Sequence, residues 1–268
     1  MTDRALRLLA GFVCVALLVA CGAGSDSATD KPAGEGSTTE TLVAHCAKVV
    51  RVEGDETVTP LEADGMTLPA VDFVAAEPSG TVLVLLHQLG VEGLCGWATF
   101  APQAAAAGFS SVAFDMCAYG GSTCADGEGT PPEDQVALAV THARDELGAE
   151  RVVLVGASMG GSQTVVSVAR GAAVDGWVDL SGADTWDGTR LLDVADAVRS
   201  RALPGLVVHA PDDGDEEYAA AQALAGATGA RFLDGGSGHG WAMLDDHAGA
   251  LLPAGRSVLD FLGSSFPG

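Results

Sequence analysis

The 268-residue chain carries 36 Asp and Glu against 13 Lys and Arg, a formal charge of −23, which argues against a nucleic-acid partner and against a basic membrane-docking face. Apolar residues make up 48% and charged residues 18%, a globular composition and not a disordered one, and the length suits one large domain. Acidic surfaces mostly serve solubility, so the charge alone does not specify a cationic substrate.

The amino terminus stands apart from the globule. Arg4 and Arg7 precede the apolar run from Leu8 to Ala20, which is too short for an ordinary spanning helix. It closes in Leu18-Val19-Ala20-Cys21, which resembles the lipobox of bacterial lipoproteins, where the peptidase cuts before the cysteine and the cysteine carries lipid. The resemblance implies a signal peptide over 1–20, lipid on Cys21, export, and anchorage to a membrane of the bacterial cell envelope. Several acyl chains hold far more firmly than one. Residues 21–41, rich in Gly, Ser, Thr, Asp and Glu, read as a flexible tether, which leaves 42–268 as the folded domain. Of the six cysteines, Cys14 leaves with the signal and Cys21 takes lipid. The remaining four allow three connectivities in an oxidising compartment. The expected one joins Cys117 to Cys124, closing a short loop, and Cys46 to Cys95, pinning the amino-terminal arm. No cysteine or histidine spacing fits a zinc pattern, so no metal site is expected.

Along the domain, Thr57–Leu61 and Leu68–Ala75 flank Ala63-Asp64-Gly65, a hairpin signal. Thr81–Leu86 is a near-continuous apolar run, as expected of a strand buried on both faces of a parallel sheet. A helix around 97–107, a strand at 110–114, a Gly- and Cys-rich loop over 115–130 and a helix opened by Pro131-Pro132 follow. The second half reads as strands at 151–155, 175–180, 206–209 and 230–233, with helices at 163–170, 189–201, 216–225 and 242–262, the last interrupted at Pro253. This alternation predicts a doubly wound, mostly parallel sheet of about eight strands. Ligands of such sheets bind beyond the carboxyl ends of the strands.

Gly156-Ala157-Ser158-Met159-Gly160 fits G-x-S-x-G between a strand and a helix. The glycines permit a sharp bend, and the helix aims free N–H groups at the serine. A nucleophilic serine needs a base and an orienting acid, later in the chain and also past strand ends. After Leu206–His209 comes Ala210-Pro211-Asp212-Asp213-Gly214, and after Arg231–Leu233 comes Gly238-His239-Gly240. Both stand where the rule requires. His87 and His209 abut apolar strands and read as structural, and His247 as solvated. The acidic run Asp212–Glu217 lacks the spaced ligands and closing Glu of a calcium loop.

With His87-Gln88-Leu89-Gly90, the Asp115 loop, the elbow at 156–160, the Asp213 turn and Gly238-His239-Gly240, the chain resembles the α/β-hydrolase superfamily over residues 57–262. The likeness is strongest to its small esterase- and dienelactone-hydrolase-like members. It implies a Ser158–Asp213–His239 triad. Asp213 is preferred to Asp212 because the family's turn places the acid three residues after the position held here by Ala210. The backbone N–H groups of Met159 and of Leu89 or Gln88 would form the oxyanion hole. Gln88 stands where the family often has Gly. Trp186 and Trp241 flank the site in sequence as possible pocket walls. The two dozen residues between Leu180 and Leu206 leave no room for a large lid. The implied activity is hydrolysis of carboxylic esters or thioesters of small acyl substrates, without a cofactor. A peptidase or acyltransferase would use the same residues, and a non-catalytic binding lipoprotein on this fold is the alternative from another class.

Overall fold

A computed structural model describes residues 40–50, 52–63, 65–246 and 248–268. The expected signal peptide, Cys14, Cys21, most of the expected tether, Asp64 and His247 lie outside the described residues. Eight strands carry the fold: β1 (Thr57–Ala63), β2 (Met66–Phe73), β3 (Thr81–Leu86), β4 (Ser110–Phe114), β5 (Arg151–Ala157), β6 (Gly176–Leu180), β7 (Gly205–His209) and β8 (Arg231–Asp234). Their order in the sheet is β1-β2-β4-β3-β5-β6-β7-β8. The first two strands pair antiparallel, β2 also meets β4 antiparallel, and every pair from β4 to β8 is parallel. Two short additions widen the sheet. Glu40–Thr41, assigned from sequence to the end of the tether, pairs with β1, and Thr123–Cys124 pairs with β2.

The apolar runs are legible because the sheet is covered on both sides. Along β3, Leu83 and Leu85 join one core with Phe100 and Ala104 of α1 (Phe100–Ala106) and Val258, Phe261 and Leu262 of the carboxyl-terminal helix. Val82, Val84 and Leu86 join the other, with α2 (Pro132–Asp145), α3 (Met159–Ala169), α4 (Ala195–Ser200) and α5 (Asp215–Thr228). Each such side chain removed from water contributes about 1.5–3 kcal/mol relative to exposure.

Two helix expectations are corrected. The helix expected from Thr189 begins six residues later: Thr185–Trp186 and Thr189–Arg190 form a separate antiparallel hairpin, then a 3-10 turn (Leu191–Val194) leads into α4. Asp187 and Gly188 at its tip have φ of +46° and +71°, the two positive values a tight two-residue hairpin of primed type needs. The closing helix is not continuous through Pro253. A 3-10 turn covers Gly240–Met243, and α6 (Pro253–Ser265) starts at the proline, whose missing N–H costs nothing in a helix's first turn. Both expected disulfides are present: Cys46–Cys95 spans 49 residues and Cys117–Cys124 spans 7. Among the described residues no helix is long and apolar enough to cross a membrane, and no group of three or more His, Cys, Asp or Glu is placed to hold a metal ion.

Candidate active site

The strand order reverses between β4 and β5, and the crevice that this opens lies at the carboxyl ends of β3 and β5. Leu86 pairs with Gly156, so the loop carrying Gln88 and Leu89 starts beside the turn carrying Ser158. Ser158 has φ +51° and ψ −112°, a region costly for any residue with a Cβ. The surroundings impose it: the Ser158 N–H donates to Leu180 O at 2.8 Å, and its own carbonyl accepts the Ser162 N–H at 3.0 Å, the first turn of α3. A Cβ on Gly156 would strike the Gly160 carbonyl, and one on Gly160 would strike the carbonyl of Leu86. Only glycine allows α3 to start this close to the sheet.

Asp213 ends a 3-10 turn after β7, and His239 lies after β8 between Gly238 and Gly240, at φ +100° and +57°. The ring Nδ1 of His239 lies 2.6 Å from Asp213 Oδ2. The loop is held on both flanks of the imidazole. Asp212 Oδ1 accepts the Gly238 N–H at 3.1 Å, Asp212 Oδ2 accepts the Ser237 hydroxyl at 2.5 Å, and Ser181 Oγ accepts the Gly240 N–H at 3.2 Å. The two aspartates therefore have separate tasks, Asp213 on the ring and Asp212 on the backbone that presents it. The bonds from Ser237 and Gly238 hold the Asp212 carboxyl below its ordinary pKa. A Cβ on Gly240 would lie 3.3 Å from that of Ala157, so the histidine loop reaches the residue before Ser158. Among the described residues no hydrogen bond joins Ser158 Oγ to His239 in this conformation. Such bonds often tighten only when substrate binds.

His87 is buried, and its tautomer follows from its partners. The Met116 N–H donates to Nε2 at 3.0 Å, which leaves Nδ1 to donate to Gln88 O at 2.8 Å. Burial lowers its pKa, so it is a neutral brace for the Gln88 loop. His209 is likewise buried, as expected. Leu89 is 51% exposed, while the Gln88 side chain reaches Gly240 with Oε1 buried and unpartnered. Trp186 lines the cavity beside Met159; Trp241 does not, and packs edge-on against Trp97 in the core.

The sequence reading did not single out His45, Ser181 or Asp179. His45 Nε2 sits 3.0 Å from the buried Asp115 carboxylate, which also accepts the Leu94 N–H at 2.8 Å, and its Nδ1 is 3.4 Å from Glu40. The bond to Asp115 is the main cause that raises the His45 pKa above 6.5, against the effect of burial. Full burial pushes Asp179 up to about 7, opposed by the Gly182 N–H. A raised folded-state pKa of either group gives stability that is complete below its unfolded value and lost as pH climbs through the folded one. The urea midpoint should therefore fall as pH climbs from the ordinary carboxylate range to about 7, through Asp179, and fall further above pH 6.5, through His45, with only the second decline made shallower in His45→Gln. An identical slope in the two proteins would refute the His45 contribution.

The family model of the alpha/beta hydrolase fold matches residues 81–228, more than half of the chain. Among solved structures, Est1E from Butyrivibrio proteoclasticus with ferulic acid bound is similar at TM-score 0.61 and 17% identity, over 77% of this chain and 98% of that one. Carboxylesterase CesB from Bacillus subtilis is similar at TM-score 0.56 and 16% identity, over 83% and 96%. An esterase from Pyrococcus furiosus is similar at TM-score 0.55 and 14% identity, over 81% and 92%. At these identities the likenesses are of fold. Among curated proteins none matches the sequence.

Proposed function

The chain belongs to the α/β-hydrolase fold family, and on that premise we propose that it is a serine hydrolase which cleaves carboxylic esters or thioesters through an acyl-enzyme. The observation that carries the reading is the 2.6 Å contact between His239 and Asp213 in a loop that reaches the strained turn of Ser158. Ser158 Oγ attacks the carbonyl carbon while His239 Nε2 takes its proton. Asp213 holds the ring in the required tautomer and stabilises the imidazolium. The oxyanion meets the N–H of Met159 at the start of α3 and that of Leu89 or Gln88. His239 then protonates the departing alcohol or thiol, and water, activated by the same imidazole, releases the acid. Two of the similar structures, the carboxylesterase from Bacillus subtilis and the esterase from Pyrococcus furiosus, perform this chemistry. The lipobox-like run to Cys21 supports lipid anchorage in the bacterial envelope, the fold supports a small acyl substrate, and the charge of −23 speaks against nucleic acid.

A fluorophosphonate tests the reading on the full-length protein. One adduct is expected, mapped by mass spectrometry to Ser158, with hydrolysis of p-nitrophenyl acetate lost in proportion. A folded protein that takes no adduct would turn the reading towards a binding module. The same mass measurement reads the amino terminus, and an unlipidated Cys21 in protein made by a lipoprotein-processing host would overturn the anchor.

A further inference from the structure

The segments after β3 and β4 meet at the carboxylate of Asp115, which is buried. Oδ1 accepts the Leu94 N–H at 2.8 Å, and Oδ2 accepts the Gly121 N–H at 3.3 Å. Gly93 and Gly120, at φ +51° and +53°, bring bare backbone against it, and a Cβ on either would strike one of its oxygens. The next peptide carries the connection onward. The Met116 N–H donates to His87 Nε2, and His87 Nδ1 donates to Gln88 O. The series of bonds from Asp115 therefore ends on the backbone whose N–H groups are proposed to meet the oxyanion.

The side chain that closes this arrangement comes from neither segment. His45 belongs to a short helix (Leu42–Cys46) in the amino-terminal arm, and its Nε2 lies 3.0 Å from Asp115 Oδ2. Among the described residues no lysine or arginine pairs with Asp115, so the imidazole is what meets the buried carboxylate from outside the loops. The disulfide Cys46–Cys95 fastens the next arm residue to the residue after Leu94. Adjacent residues of the arm thus grip adjacent parts of one loop. A buried carboxylate stripped of its partner is costly unless it moves towards water, and the backbone wrapped around it must then move too.

We infer that His45 is a positioning residue of the active site: it fixes Asp115, and through Asp115 and His87 it holds Gln88 and Leu89 where an oxyanion can be met. The inference rests on the serine-hydrolase reading for its catalytic meaning, and on the bonds to Asp115 for the hold itself.

Substitutions at His45 in the full-length protein test it. His45→Ala removes the contact. His45→Asn stays polar, but its amide stops near the place of Nδ1, short of Asp115. His45→Gln carries an amide N–H to about the place of Nε2. Active sites are counted with a fluorophosphonate taken to completion, so an unfolded fraction lowers the count and not the turnover of each site. With p-nitrophenyl acetate, kcat per site should fall about tenfold or more in His45→Ala and His45→Asn, with KM changed by less than about twofold. A displaced oxyanion donor is felt in the transition state and not in binding. His45→Gln should return to within about threefold of the wild type. Undiminished turnover per site in His45→Ala, a loss confined to KM, or no recovery in His45→Gln would overturn the inference.

Hydrogen exchange of the same proteins needs no turnover. Amides in 87–95 and 116–122 should exchange about tenfold faster or more in His45→Ala than in the wild type, with His45→Gln close to the wild type. Unchanged exchange overturns the inference whatever the activity. Faster exchange in His45→Ala, beside a wild type that takes no fluorophosphonate, would uphold the hold on the loops and refute the hydrolase reading.

Discussion

Ser158→Ala is expected to lower kcat/KM for p-nitrophenyl acetate by about 10^5-fold, or ~7 kcal/mol of transition-state stabilisation. The loss should be this large because no neighbouring group can take over the attack: His87 is fixed as a neutral brace by Met116 and Gln88. A variant lacking both Ser158 and His239 should be no worse than either single variant, since a base without its nucleophile has nothing to activate. The same position makes a stability prediction of opposite sign. Alanine inherits φ +51° and ψ −112°, whereas glycine is at ease there. Ser158→Gly should therefore be as inactive as Ser158→Ala, yet more stable to urea by about 1 kcal/mol. Additive losses in the double variant would break the serine–histidine unit. A glycine variant less stable than the alanine one would mean that the elbow is not strained.

The features legible in the sequence were those with a local physical signature. β3 and β5 betray themselves because both faces are buried, so no polar alternation interrupts them. The elbow shows because the close approach of α3 to Leu86 admits only glycine at 160. The rule that chemistry gathers beyond strand ends points to Asp213 and His239 from strand order along the chain alone, and the two side chains lie 2.6 Å apart. Features built from distant partners were hidden. His45 meets Asp115 across 70 residues, and neither residue's neighbourhood announces the other. The hairpin over the cavity has strands of two residues, too short for any period, and only Asp187-Gly188 between Trp186 and Thr189 could have disclosed it. Pro253 begins a helix that the sequence suggests it interrupts. An apolar periodic stretch before a proline leaves both readings open, and the packing of Trp241 and Met243 into the core decided for a 3-10 turn.

The adjacent aspartates offer the sharpest test of the geometry. Asp213→Asn should lower kcat by about 10^3- to 10^4-fold with KM little changed, because an amide cannot stabilise the imidazolium and favours the wrong tautomer. Asp212→Asn should cost less than about tenfold, since its side-chain oxygen can still accept the Gly238 N–H while its amide donates to Ser237 Oγ. Asp212→Ala removes both supports and should fall between the two, for a histidine loop free to shift by an ångström loses alignment and not chemistry. If Asp212→Asn proved the more damaging substitution, the acid would be Asp212. The 2.6 Å contact of Asp213 with His239 would then be a resting arrangement that substrate binding replaces.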